Sequence, residues 1–280
     1  MKKIFYLIKH DIKDGARYNF KKYIFTVILF LVFCADVYSQ NKIHTERCNV
    51  LFQPTICDYI LYIFRGMREY DPNLSEAFNI PAAWFAVQLG IAYFVGNYPT
   101  KDTEGYGIQY IIRSGSKCLW VASKCIYSAI ATVQFYLIGY VVVAFWALLF
   151  GRFEFSLSED IGMYISNINA EVITDSIFVI CVLVLPLLTS IAVSIFQTVL
   201  MLVVRPIYSY LAIIVIVSAS AYYKTYFLPL NYSMIFRMSP IVAGGLDPYI
   251  AVIIDIFLII LTVIFGCAII RKFDFLEKRL

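Results

Sequence analysis

At 280 residues, with 61% apolar and 15% charged side chains, the chain sits far from the roughly 45–50% and 25% of an average soluble domain. An ordinary soluble globule is excluded. No polar stretch exceeds about forty residues, too short for an independent core of enzymatic size, and the net charge of +4 comes from basic residues set beside apolar segments, as in membrane orientation rather than nucleic-acid binding.

Charge-free runs of the length a bilayer requires, about 20 residues per helix, mark six predicted spans: 23–38, 80–96, 125–150, 176–204, 206–223 and 248–270. The leader 1–22 mixes Ile4, Phe5, Leu7, Ile8, Ile12 and Tyr18 with lysines. It reads either as a helix lying in the membrane interface or as a plain positive flank. Its basic residues run to Lys22 with no small-residue cleavage site after the apolar run, so the first span is expected to be retained. Asp36, near the end of that span, reads as interfacial. The loop 39–79 holds a predicted helix over 58–70, with Ile60, Leu61, Ile63 and Phe64 on one face, able to pack on the spans. Pro186 removes a backbone donor inside the fourth span and is expected to kink it. The loop 223–247 carries Phe227, Leu228, Leu230, Ile235, Phe236 and Ile241 between Pro229 and Pro240, too apolar for a free linker. It is expected to dip into the outer leaflet, shielded by protein.

The basic residues fix an orientation. On one face of the predicted map lie 16 of the 23 lysines and arginines, in the leader, the 97–124 segment, Arg205 and the C-terminus; the other face holds seven. The expected localisation is therefore the cell membrane, multi-pass, with both termini cytoplasmic.

Chemistry is sparse. His10 and His44 have no partner at metal-ligand spacing, and neither H-E-x-x-H nor a P-loop G-x-x-x-x-G-K-[ST] occurs. No catalytic, cofactor-binding or metal residues are assigned. Cys48 and Cys57 share one outer loop, where they either pair as a disulfide or are simply buried. The sequons beginning at Asn73 and Asn231 carry meaning only in a glycosylating compartment. Asp255 lies about seven residues inside the sixth span, where an aspartate is costly, so it must face protein or water. It either lines a cavity or gate or is a hydrogen-bonded structural residue.

The richest segment is 97–124. Lys101, Asp102, Glu104, Gln109, Arg113 and Lys117 alternate with Tyr106, Ile108, Ile111, Ile112 and Trp120, as in a short amphipathic helix on the membrane surface that either docks another protein or stays solvated.

Together with ICDYILYIFRGMREY in the first outer loop, the basic leader and the six-span plan, the stretch YPTKDTEGYGIQYIIRSGSK followed by Trp120 and Lys124 resembles the type-2 ABC transporter permease family, the membrane subunits of bacterial exporters. The E-A-A-x-x-x-G loop of importer permeases is not found. The resemblance implies an all-α polytopic permease with an N-terminal interfacial helix and a cytoplasmic coupling helix. It also implies a second permease copy, identical or related, and cytoplasmic ABC ATPase subunits that carry the ATP and Mg. Asp102, Thr103, Glu104, Gln109 and Arg113 would be the ATPase-coupling residues. The cargo class it implies is a peptide, antimicrobial, drug or lipid-like molecule leaving the cell, with membrane lipid as surroundings and no nucleic acid partner. A membrane-embedded enzyme or maturation factor without an ATPase, and a passive channel or scaffold, are the alternatives.

Overall fold

A computed structural model describes residues 2–48, 53–70, 78–104, 116–158 and 173–272. Among those residues the regular structure is helical, with only two isolated bridges, Thr55 to Arg152 and Met238 to Leu246, in place of any sheet. The helices are α1 (Lys2–Tyr18), α2 (Phe20–Cys48), α3 (Ile56–Phe64), α4 (Ala82–Val95), α5 (Tyr98–Glu104), α6 (Lys117–Phe150), α7 (Asp175–Val203, with a π-helical stretch inside it), α8 (Pro206–Tyr222) and α9 (Pro248–Lys272). Among them α6, α7 and α9 are long and apolar enough to cross a bilayer, and α8 is a shorter apolar helix.

The helix ends sort into two ends of the bundle. One, rich in Lys22, Lys101, Lys124 and Arg205, gathers α1, the C-terminal ends of α4, α7 and α9, and the start of α6. The other gathers the C-terminal ends of α2, α6 and α8, all of α3, and the 3₁₀ turns Pro229–Ser233 and Ile235–Arg237. Cross-links at each level support this sorting: Lys124 to Asp11, Lys22 to Phe94 and Cys118 to Cys267 at the basic end, and Tyr62 to Asp36, Arg152 to Pro54 and Trp84 to Ser233 at the opposite end.

Several sequence expectations shift once packing is included. The leader forms α1 over Lys2–Tyr18 and turns at Asn19 into α2, which runs on to Cys48, well past the predicted span end. The outer-loop helix starts at Ile56 rather than 58 and stops at Phe64. Its start is set by a capping box, in which Thr55 accepts from Asp58 N while Asp58 accepts from Thr55 N. All nine of its residues are buried, against α2, α4 and α6. Pro186 lies just after a local change of helix type in α7. A π-helical stretch, Val179–Val184, precedes it, and the widened turn accommodates the ring. Within the 223–247 loop every residue from Leu230 to Met238 is buried, as expected, whereas Phe227, expected to be shielded with them, is 96% exposed.

Helix approach is governed by small residues. A Cβ at Gly139 would lie 2.2 Å from the Phe30 ring, so α2 and α6 meet through glycine against an aromatic. Outward, Leu137, Val141, Phe145, Ile207, Leu211, Val215, Ile253, Phe257, Ile260 and Ile264 are all exposed. Such a continuous apolar exterior is far beyond what a water-soluble monomer carries.

Candidate functional site

At the basic end, the segment flanked by α4 and α6 is anchored by a buried polar cluster. Asp11 of α1 is 1% exposed and accepts from the fully buried Lys124 of α6 at 2.5 Å and from Tyr98 of α5 at 3.1 Å. A buried ion pair of this kind adds little net stability, yet removing one partner is costly, so it enforces one arrangement of three helices. Around it, Tyr98 packs on Tyr127 with ring centroids 4.4 Å apart, and Asn19 donates to the Tyr127 hydroxyl at 3.0 Å. Lys22 and Lys101 both sit over the Tyr18 ring, at 4.6 and 4.8 Å. Lys22 also donates to the Phe94 carbonyl at 3.0 Å, capping the end of α4.

The predicted coupling residues fall partly here. Asp102, Thr103 and Glu104 lie on the helical backbone of α5, in the turn that follows Tyr98. Gln109 and Arg113 lie outside the described residues. Sequence reading placed Lys124 at the end of this segment but did not connect Asp11 to it, because Asp11 lies among the charged residues of the leader.

A second polar feature runs through the apolar middle. On α6, Ser128, Thr132 and Tyr136 recur every four residues; on α7, Ser190, Ser194 and Thr198 do the same. They meet as three rungs: Ser128 with Thr198 at 2.6 Å, Thr132 donating to Ser194 at 2.8 Å, and Tyr136 with Ser190 at 2.9 Å. The antiparallel match of two four-residue ridges is what lets every rung close. The network continues from Ser190 to Gln88 of α4 at 3.2 Å, and Trp84 reaches Ser233 of the buried loop at 2.7 Å. The sequence carries both stripes in plain view, but a search restricted to charged residues passes over hydroxyls.

Asp255 is fully buried on α9, and Thr189 of α7 donates to its Oδ2 at 2.7 Å. Its Oδ1 has no hydrogen-bond partner. It lines neither of two grooves on the helix exterior. One, about 580 Å³ and wholly apolar in its lining, runs between α6 and α7 past Ile60, Leu137, Ala144 and Leu187. The other, about 200 Å³, lies by Ala192, Phe196, Phe227 and Leu258.

At the opposite end, Arg237 is fully buried. It donates to the carbonyls of Ser220 at 2.7 Å, Ala221 at 2.6 Å, Tyr223 at 2.6 Å and Met67 at 3.2 Å, and to the Asn231 side chain. It thus caps the C-terminal carbonyls of α8, where a cation also suits the helix dipole. Desolvation brings it down to about 10, so it remains a cation at neutral pH. The sequon asparagine Asn231 is buried and donates to Tyr223 and Thr225 carbonyls, so it is a structural residue and not a glycan acceptor. Of the two loop cysteines, Cys57 is a buried free thiol, pushed up to about 11 chiefly by desolvation; the Cys48 side chain lies outside the described residues. Among the described residues, no group of three or more His, Cys, Asp or Glu could hold a metal.

A family model described as "Protein of unknown function (DUF2705)" matches residues 24–276. No curated protein and no solved structure matches the chain.

Proposed function

Because the chain belongs to this family of unknown function, its role is read from its own residues, and we propose that it is the membrane-spanning permease subunit of an ATP-driven exporter. In this reading α2, α4, α6, α7, α8 and α9 are the six crossings, α1 lies in the cytoplasmic interface, and both termini are cytoplasmic in the cell membrane. The alternation of these helices between two ends of the bundle, the apolar exterior and the 16 to 7 bias of basic residues support it. Two of the helices are short: α4 has 14 residues and α8 has 17, about 21 and 26 Å at 1.5 Å per residue. They pack together beneath the buried 229–237 loop, which fills the outer leaflet above them.

The observation that carries the reading is the linkage at the basic end. The 97–124 segment joins α4 to α6, and Asp11, Tyr98 and Lys124 lock α1, α5 and α6 into one body. A displacement delivered there by an ATPase partner passes into α6, through the three hydroxyl rungs into α7, and through Thr189 to Asp255 on α9. Rigid-body movement of this kind is the usual output of nucleotide-driven closure. Asp102, Thr103, Glu104, Gln109 and Arg113 are the residues assigned to contact the ATPase, Asp255 is the gate, and ATP and Mg reside on the partner. The cargo is a peptide, antimicrobial, drug or lipid-like molecule.

The test is copurification of the tagged chain from membranes. A P-loop ATPase should come with it, and Gln109→Ala with Arg113→Ala should remove that ATPase while the chain stays folded. Asp255→Asn should keep the ATPase bound but abolish stimulation of its turnover by the permease. Unchanged association of the double variant would remove the coupling site, and unchanged stimulation would return Asp255 to a structural role.

A further inference from the structure

We propose that Cys118 and Cys267 form a redox-active dithiol that closes to a disulfide by exchange with a small aliphatic disulfide. This does not depend on the exporter reading.

Cys118 is the second residue of α6, and Cys267 lies in the last two turns of α9. The helices run in opposite directions and come close here: a Cβ at Gly266 would stand 3.2 Å from a Val121 methyl and 2.9 Å from one of Val199. The two cysteines are therefore directly opposed. Each sulfur faces the other residue's carbonyl, Cys118 Sγ at 3.6 Å from Cys267 O and Cys267 Sγ at 3.7 Å from Cys118 O. Arg271, one turn beyond Cys267, brings its Nε to 3.1 Å from Cys118 Sγ. Both cysteines are partly exposed, whereas Cys34, Cys57, Cys125 and Cys181 are buried. A part-exposed sulfur against a cation and at the start of a helix is the setting in which cysteines react, while buried ones are inert.

Arg271 rests on Cys118, which makes Cys118 the attacking sulfur. Its thiolate attacks one sulfur of the small disulfide RSSR, breaking that S–S bond, forming a Cys118–SR mixed disulfide and releasing RS⁻. Cys267, as thiolate, then attacks the Cys118 sulfur, forming the Cys118–Cys267 bond and releasing the second RS⁻. The two protons from the protein thiols end on the two released thiols. Two protein thiols are oxidised and one RSSR is reduced to two RSH. The bond ties the first turn of α6 to the end of α9.

The experiment treats the purified full chain in detergent with cystamine, quenches with acid, alkylates, digests and identifies linked peptides by mass. A Cys118–Cys267 peptide that disappears with dithiothreitol is expected from the wild-type chain, an arm that requires no variant. Cys118→Ser should leave Cys267 open to alkylation after the same treatment. Arg271→Gln should slow capture of cysteamine at Cys118 on the order of tenfold, with no change once the chain is unfolded in urea. Full alkylation of both wild-type thiols after cystamine, or an Arg271→Gln chain reacting at the wild-type rate, would overturn the proposal.

Discussion

Arg237 shows how much a single buried cation can organise. It satisfies four main-chain carbonyls, those of Ser220, Ala221 and Tyr223 at the end of α8 and that of Met67, and each buried acceptor left unpaired costs about 1–3 kcal/mol. Arg237→Met should therefore lower stability by about 3 kcal/mol or more, read as loss of the thermal transition in detergent, whereas replacing the exposed Arg271 should leave that transition in place. An unshifted transition for Arg237→Met would contradict the capping role. Asp58 gives a pH signature. Desolvation raises its carboxyl from 3.8 to about 6, against hydrogen bonds from Thr55 and Ser158 that pull it down. Because the folded value lies above the unfolded one, its stabilising contribution is complete below about pH 4 and is lost as pH rises through about 6. The wild-type chain should lose up to about 3 kcal/mol from this group between pH 4 and 7, and Asp58→Asn should flatten that decline. Parallel pH profiles of the two proteins would rule it out. The Thr55-x-x-Asp58 cap is legible in the sequence as a helix start. Arg237 is not, since its partners sit up to 170 residues away.

At the level of helices, the hydroxyl rungs between α6 and α7 replace the hydrophobic drive that lipid cannot supply. Interhelical hydrogen bonds in membranes average about 0.6 kcal/mol by double-mutant cycle. A cycle of Thr132→Val with Ser194→Ala should return a coupling near that value, and no coupling would mean the rung is geometric only. The helical elements themselves were readable from apolar runs, because a charge-free stretch of membrane length has few other folds. Their ends were less so. Helix α2 continues past Tyr38 since Gln40 donates to Tyr62 of α3 at 2.8 Å and Tyr62 to Asp36, contacts made between segments rather than within one. Pro186 announced a disturbance in α7, but its π-helical form over Val179–Val184 is one that no local sequence pattern specifies. The four-residue recurrence of serine and threonine on α6 and α7 was equally visible, and it identifies their shared face once hydroxyls are read beside charges.

For the whole molecule, the composition sets the chain apart from an ordinary soluble globule, and the expected orientation rests on the bias of basic residues. The sequence singled out the 97–124 segment, of which α5 and the start of α6 carry the described contacts. The lock formed by Asp11, Tyr98 and Lys124 depends on α1 packing against α6, a contact between segments more than a hundred residues apart. We propose that this chain is the driven part of a larger machine, with its motor on another polypeptide. Native mass measurement of the complex purified through this chain tests that most directly. Two permease chains together with two P-loop ATPase subunits, hydrolysing ATP, are the predicted assembly; a chain that leaves the membrane with no ATPase bound, and supports its transport without nucleotide, would contradict the account.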